Sequence, residues 1–148
     1  MATVYGVNKT LSRDPSGSNI QRPGLQAGKV RVMCDTYEAV ALAAGSIIEM
    51  GDKLPKGAIV IDVKLSHDAL GSATVDVGDY EDDNRYMDDE SVASANTQHF
   101  LELVDGKQYE CDDTTPGDTT SDRQIIITTA SAAITGTIKT EVYYVCGE

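Results

Sequence analysis

The chain has 148 residues, a formal net charge of −12, no Trp, one Phe and seven Tyr. That length fits one domain burying roughly 68–70% of its unfolded surface, so a core of Val, Ile, Leu and Ala suffices without disulfide or metal. An acidic body excludes nucleic-acid binding through its faces, because phosphate needs a basic footprint. No apolar run approaches the roughly 20 residues that cross a bilayer, which excludes a spanning helix.

Residues 1–28 read as an extended N-terminal arm. Asn8 to Gly28 is rich in Ser, Gly, Pro and Asn and has no sustained apolar period. Such a segment buries too little to offset its ordering entropy. Its reach when extended is on the order of 90 Å. Residues 1–31 carry a balance of +4, from Lys9, Arg13, Arg22, Lys29 and Arg31 against Asp14, and the remainder carries −16. An acidic neighbour, such as another copy of the body, is the natural contact for this basic head. Val4, Tyr5, Val7, Leu11, Arg13, Ile20 and Arg22 are the candidate contacts of this arm with a neighbouring subunit or other partner. MATVYGVNKT lacks a charged region followed by an apolar stretch, so no signal peptide is read there.

Residues 29–148 read as an all-β body, a single sandwich. Lys29 to Tyr37 alternates, with Val30 and Val32 on one face and Arg31 and Met33 on the other, and Val40 to Leu42 continues it. Ala43-Ala44-Gly45 turns the chain and Ser46 to Met50 returns. After the Pro- and Gly-punctuated loop 51–57, Ala58 to Leu70 has period two. That pattern predicts Ile59, Ile61, Val63 and Leu65 on a buried face, with Val60, Asp62, Lys64 and Ser66 opposite. Ser72 to Val77 is the next strand. Phe100 to Val104 and Lys107 to Cys111 flank Asp105-Gly106, a strong hairpin signal. Asp112 to Asp122 is a polar loop. Gln124 to Thr129 is a strand, and Ala133-Ile134 leads to Thr137 to Val145. Glu38 to Ala44 and Ser91 to Gln98 carry the helical alternatives.

Cys34, Cys111 and Cys146 are odd in number and widely spaced, with no metal-ligand pattern. They read as free thiols of a reducing compartment, with one disulfide as the alternative. His67 and His99 read as strand-end or surface residues. Asp76 to Glu90 holds eight carboxylates. Counted from Asp79, the acids Asp79, Glu81, Asp83 and Glu90 occupy positions 1, 3, 5 and 12 of a calcium-type loop. Position 6 is Asn84 rather than Gly, and no helix pair flanks the loop. A solvated acidic run is therefore the reading, with those four as the calcium candidates and no cofactor expected. No nucleophile–base arrangement and no phosphate loop is present, so no catalytic residue is assigned.

Tyr37-Glu38, Ala44-Gly45-Ser46, Leu54-Pro55-Lys56-Gly57-Ala58, Val63, Leu70-Gly71, Thr74-Val75-Asp76-Val77-Gly78-Asp79, Arg85-Tyr86 and the terminal Thr137-Ile138…Val142-Tyr143-Tyr144-Val145 together carry a resemblance. Over residues 29–145 the chain resembles small structural proteins of tailed bacteriophages. The resemblance implies a jelly-roll decoration, or cement, protein, made in the bacterial host cytoplasm and placed on the capsid surface of the virion. It implies the major capsid protein as partner. A homo-oligomer fits such a role, a trimer first and a dimer second. A tail or fibre component, or a glycan-binding adhesin module, is the alternative.

Overall fold

The computed structural model describes residues 28–99, 110–111 and 124–146, which form nine β-strands and no helix. The strands are β1 (Val30–Leu42), β2 (Ile47–Met50), β3 (Ala58–His67), β4 (Thr74–Gly78), β5 (Met87–Ser91), β6 (Asn96–His99), β7 (Glu110–Cys111), β8 (Ile125–Ala130) and β9 (Ile134–Cys146). The arm expected over 1–28 lies outside the described residues except for Gly28. Most of the Asp105-Gly106 hairpin and the 112–122 loop lie outside them too.

Two antiparallel sheets face each other. The first has the order β1-β9-β3-β6, with β7 also on β3, and the second has the order β2-β8-β4-β5. The pairs β1–β9, β2–β8, β3–β6 and β4–β5 are each hydrogen-bonded neighbours. They form one long antiparallel ribbon rolled so that alternate pairs fall in opposite sheets, which is the jelly-roll topology. The expected all-β sandwich is therefore the fold, in its jelly-roll form.

Inward residues of both sheets make one aliphatic core. Val60, Val63 and Leu65 of β3 and Ile138 and Val142 of β9 meet Ile48 and Met50 of β2, Val75 and Val77 of β4, and Ile125 and Ile127 of β8. These side chains are almost completely buried, and outside an irregularity in β3 the period of two puts them on one face. Thr129 fixes the β1–β2 corner. Its hydroxyl donates to the Ala43 carbonyl at 2.9 Å and accepts the Ser46 N–H at 3.1 Å. The buried Gln124 amide donates to the carbonyls of Met50, Gly51 and Ile125 at 3.2–3.3 Å, which closes the far end of β2.

The face of β3 differs from the simple alternation. Pairing with β9 slips between Val60 and Asp62, so Ile61 sits in a β-bulge. A bulge adds one residue and inverts the parity beyond it. Ala58 and Val60 therefore share the core side with Val63 and Leu65, while Ile61 is only half-buried and Ile59 is buried outside the main cluster. In β1 the valines face outward. Val30 and Val32 are 57% and 49% exposed, whereas Met33 and Ala39 pack on the core. The helical alternatives are not adopted. Glu38–Leu42 completes β1, bulging near Ala41 at φ 48°, and Asn96–His99 forms β6. β3 ends at His67 rather than Leu70, and the acidic run contains the strand β5.

Candidate interaction surface

The chemistry-bearing side chains lie on the outer faces of the two sheets and on the loop between β4 and β5. On the first sheet, period two turns Lys139, Glu141 and Tyr143 of β9 outward, and the register sets Lys64 of β3 opposite Glu141. Glu141 accepts from Lys139 Nζ at 2.7 Å, Lys64 Nζ at 3.2 Å and the Tyr143 hydroxyl at 3.1 Å. Those three donors, Lys139 foremost, hold its carboxyl down from 4.5 to about 2. The same bonds raise the pKa of Lys139 and of Tyr143. At the β3–β6 edge, His99 Nδ1 lies 3.2 Å from Asp62 Oδ2.

The outer side of the second sheet is acidic. Asp76 of β4 accepts the Asp89 N–H at 2.7 Å. Burial pushes the Asp76 carboxyl up, and the negative charges of Asp89, Asp83 and Asp88 add to that, against the Asp89 N–H bond.

The loop between β4 and β5 is a clasp around one carboxylate. Asp79 is fully buried and pairs with Arg85 Nε at 2.5 Å, with Nη2 at 3.5 Å. It also accepts the N–H groups of Glu81 and Asp82 at 2.9 and 3.0 Å. Burial pushes its pKa up, while the guanidinium and the two N–H bonds oppose that. The loop backbone lies directly on Gly78, where an added Cβ would meet the Asp82 carbonyl oxygen at 2.1 Å and the Asp83 carbonyl carbon at 2.4 Å. Only glycine permits that approach.

Among the calcium candidates, Asp79 faces Arg85, Glu81 and Asp83 are exposed, and Glu90 accepts from Gln98 Nε2 at 2.5 Å. No group of three or more His, Cys, Asp or Glu side chains that could hold a metal is present among the described residues. The contact candidates Val4, Tyr5, Val7, Leu11, Arg13, Ile20 and Arg22 lie outside the described residues. All three cysteines are free, Cys34 exposed and Cys111 buried. Both histidines end strands, His67 buried and His99 exposed.

Sequence reasoning passed over the Glu141 cluster. Its signal was present: Lys139, Glu141 and Tyr143 recur at i, i+2 and i+4 of a strand, which puts all three on one face. The buried Asp79–Arg85 pair was hidden among exposed acids.

The strand order defines an eight-stranded jelly roll, extended by the short β7. No protein-family model matches the sequence, and no curated protein matches it. Solved structures share the fold. A chain of the Cyanophage Pam1 capsid asymmetric unit superposes with a TM-score of 0.66 at 20% identity, over 92% of this chain and 99% of that one. A chain of the capsid of Ralstonia phage GP4 gives 0.63 at 22% identity, over 82% and 87%. The chain thus has a fold found in the capsids of phages.

Proposed function

We propose that this chain is a structural protein of a bacteriophage virion, a decoration or cement protein that binds the assembled head and bridges capsomers. The supporting observation is the near end-to-end likeness to a capsid chain, 92% of one and 99% of the other. The match spans the whole jelly roll rather than a shared motif. The protein acts by binding. Its partner is the major capsid protein, its place is the capsid surface, and it works as a homo-oligomer. Several modest contacts on one lattice raise effective concentration and hence avidity. The arm over residues 1–28 reaches across the seam between capsomers, led by its basic charge.

The test is addition of the purified protein to capsids that lack it. Saturable binding with a defined copy number, and a higher temperature of capsid disruption, is the expected result. A ligand that binds only the intact shell stabilises that shell by an amount that grows with the logarithm of its free concentration above Kd. Labelling found on the tail, with none on the head, would overturn the reading in favour of a fibre or adhesin role.

A further inference from the structure

We infer that β1 is a subunit contact: its free edge pairs antiparallel with β1 of a second copy, about a two-fold axis at Val32. β1 is an outer strand of the first sheet, hydrogen-bonded on one side to β9. The Thr36 N–H turns away from β9 and donates to Asp35 Oδ1 at 2.7 Å. Alternation in an antiparallel ladder then aims the N–H and C=O groups of Val30, Val32 and Cys34 to the same free side. No described strand pairs with that side. Val30 and Val32 are 57% and 49% exposed and Cys34 is exposed. Open backbone groups beside exposed β-branched side chains are what recruits another strand. Further along, the edge is closed. Asp35 caps Thr36, and the bulge near Ala41 bends the strand. The bare segment is therefore Val30–Cys34.

The charge of the strand selects the occupant. Lys29 and Arg31 lie at one end, Asp35 and Glu38 at the other. Antiparallel pairing about Val32 sets Val32 against its own copy, Val30 against Cys34, and Lys29 against Asp35. Arg31 of the second copy then falls opposite Met33, beside a cleft of about 610 Å³ whose charged lining is Asp35, Asp52 and Lys53, one negative charge in balance. Parallel pairing in register would instead stack like charges on like charges, which is destabilising. The strand is thus complementary to itself under a two-fold operation, the requirement of an isologous contact. This selects the dimer over the trimer. It deepens the homo-oligomer part of the proposed function, and its test runs in solution without capsids, so either idea can fail alone.

The full chain should sediment as a dimer. Under mild oxidation, Val30→Cys should give a dimer linked to Cys34 of the other copy, sensitive to reductant and lost when Cys34→Ser is added. Val32→Pro removes one N–H from the free edge and none from the β9 ladder. It should leave the circular dichroism unchanged and weaken dimerisation at least tenfold. A wild-type monomer or trimer would overturn the inference. So would a dimer that survives Val32→Pro without the 30–34 link, which would assign the contact to another surface, the segment 1–27 included.

Discussion

Asp79 and Glu141 are both carboxylates with at least three donors each, yet their surroundings act on them in opposite directions. Asp79 is sealed in the β4–β5 loop, where desolvation is the largest influence and pushes its pKa up. Glu141 lies on the outer face of the first sheet, its side chain still 15% exposed, where its donors outweigh desolvation and hold it at about 2. Donor number is therefore a poor guide to what a charge contributes; access to water decides. Removing a partner leaves Asp79 stranded in the interior, whereas Glu141 falls back on solvent.

The largest test of that contrast is Arg85→Met. It leaves a buried carboxylate without its cation and should cost about 3–5 kcal/mol in urea unfolding. A loss no greater than that of an exposed pair would show that water reaches Asp79. Leu65→Ala supplies the apolar yardstick for the clasp, expected at about 2–5 kcal/mol. Ile61→Ala, made at the half-buried bulge, should cost clearly less, and equal losses would mean that β3 has no bulge. Gly78→Ala keeps both charges but forces a methyl group into the loop backbone, so about 1–3 kcal/mol is expected from a thermal melt. The smallest effect concerns Glu141. Its folded pKa is depressed, so its contribution is fully present above the ordinary 4.5 and fades as pH falls toward about 2. Carboxyl titration by NMR should find Glu141 still ionised at pH 3.5. Lys139→Met should move its titration upward, and salt should weaken the pairing. A midpoint near 4.5 in the wild type would show that the three donors are not engaged.

The strands that were legible in the sequence are those whose burial is one-sided and apolar. Gln124 to Thr129 and Thr137 to Val145 announce β8 and β9 through their β-branched residues. β5 (MDDES) and β6 (NTQH) were not legible, because outer strands with polar side chains show no apolar period. They exist because β4 and β3 offer them hydrogen-bonding edges. The bulge at Ile61 is silent for another reason: Ile59, Val60 and Ile61 are all apolar, and parity cannot be read from an unbroken run. Of the surface, the acidic run was visible but its inner division was not. Nothing in DVGDYEDDNR marks Asp79 as the one carboxylate turned inward; that follows from the fit of the loop over Gly78.

The rolled ribbon also fixes when the sandwich can close. β1 lies beside β9, so that Thr137 donates to Glu38 across 99 positions of sequence. Contacts of such separation are slow to form, and sandwiches dominated by them fold in milliseconds to seconds rather than microseconds. On a ribosome, β1 waits with both edges open until β9 emerges. Its exposed valines and unpaired backbone are then most vulnerable to the wrong neighbour. Completion of the first sheet is thus gated by the closing of β9 onto β1, a step that comes after synthesis of the strands between them.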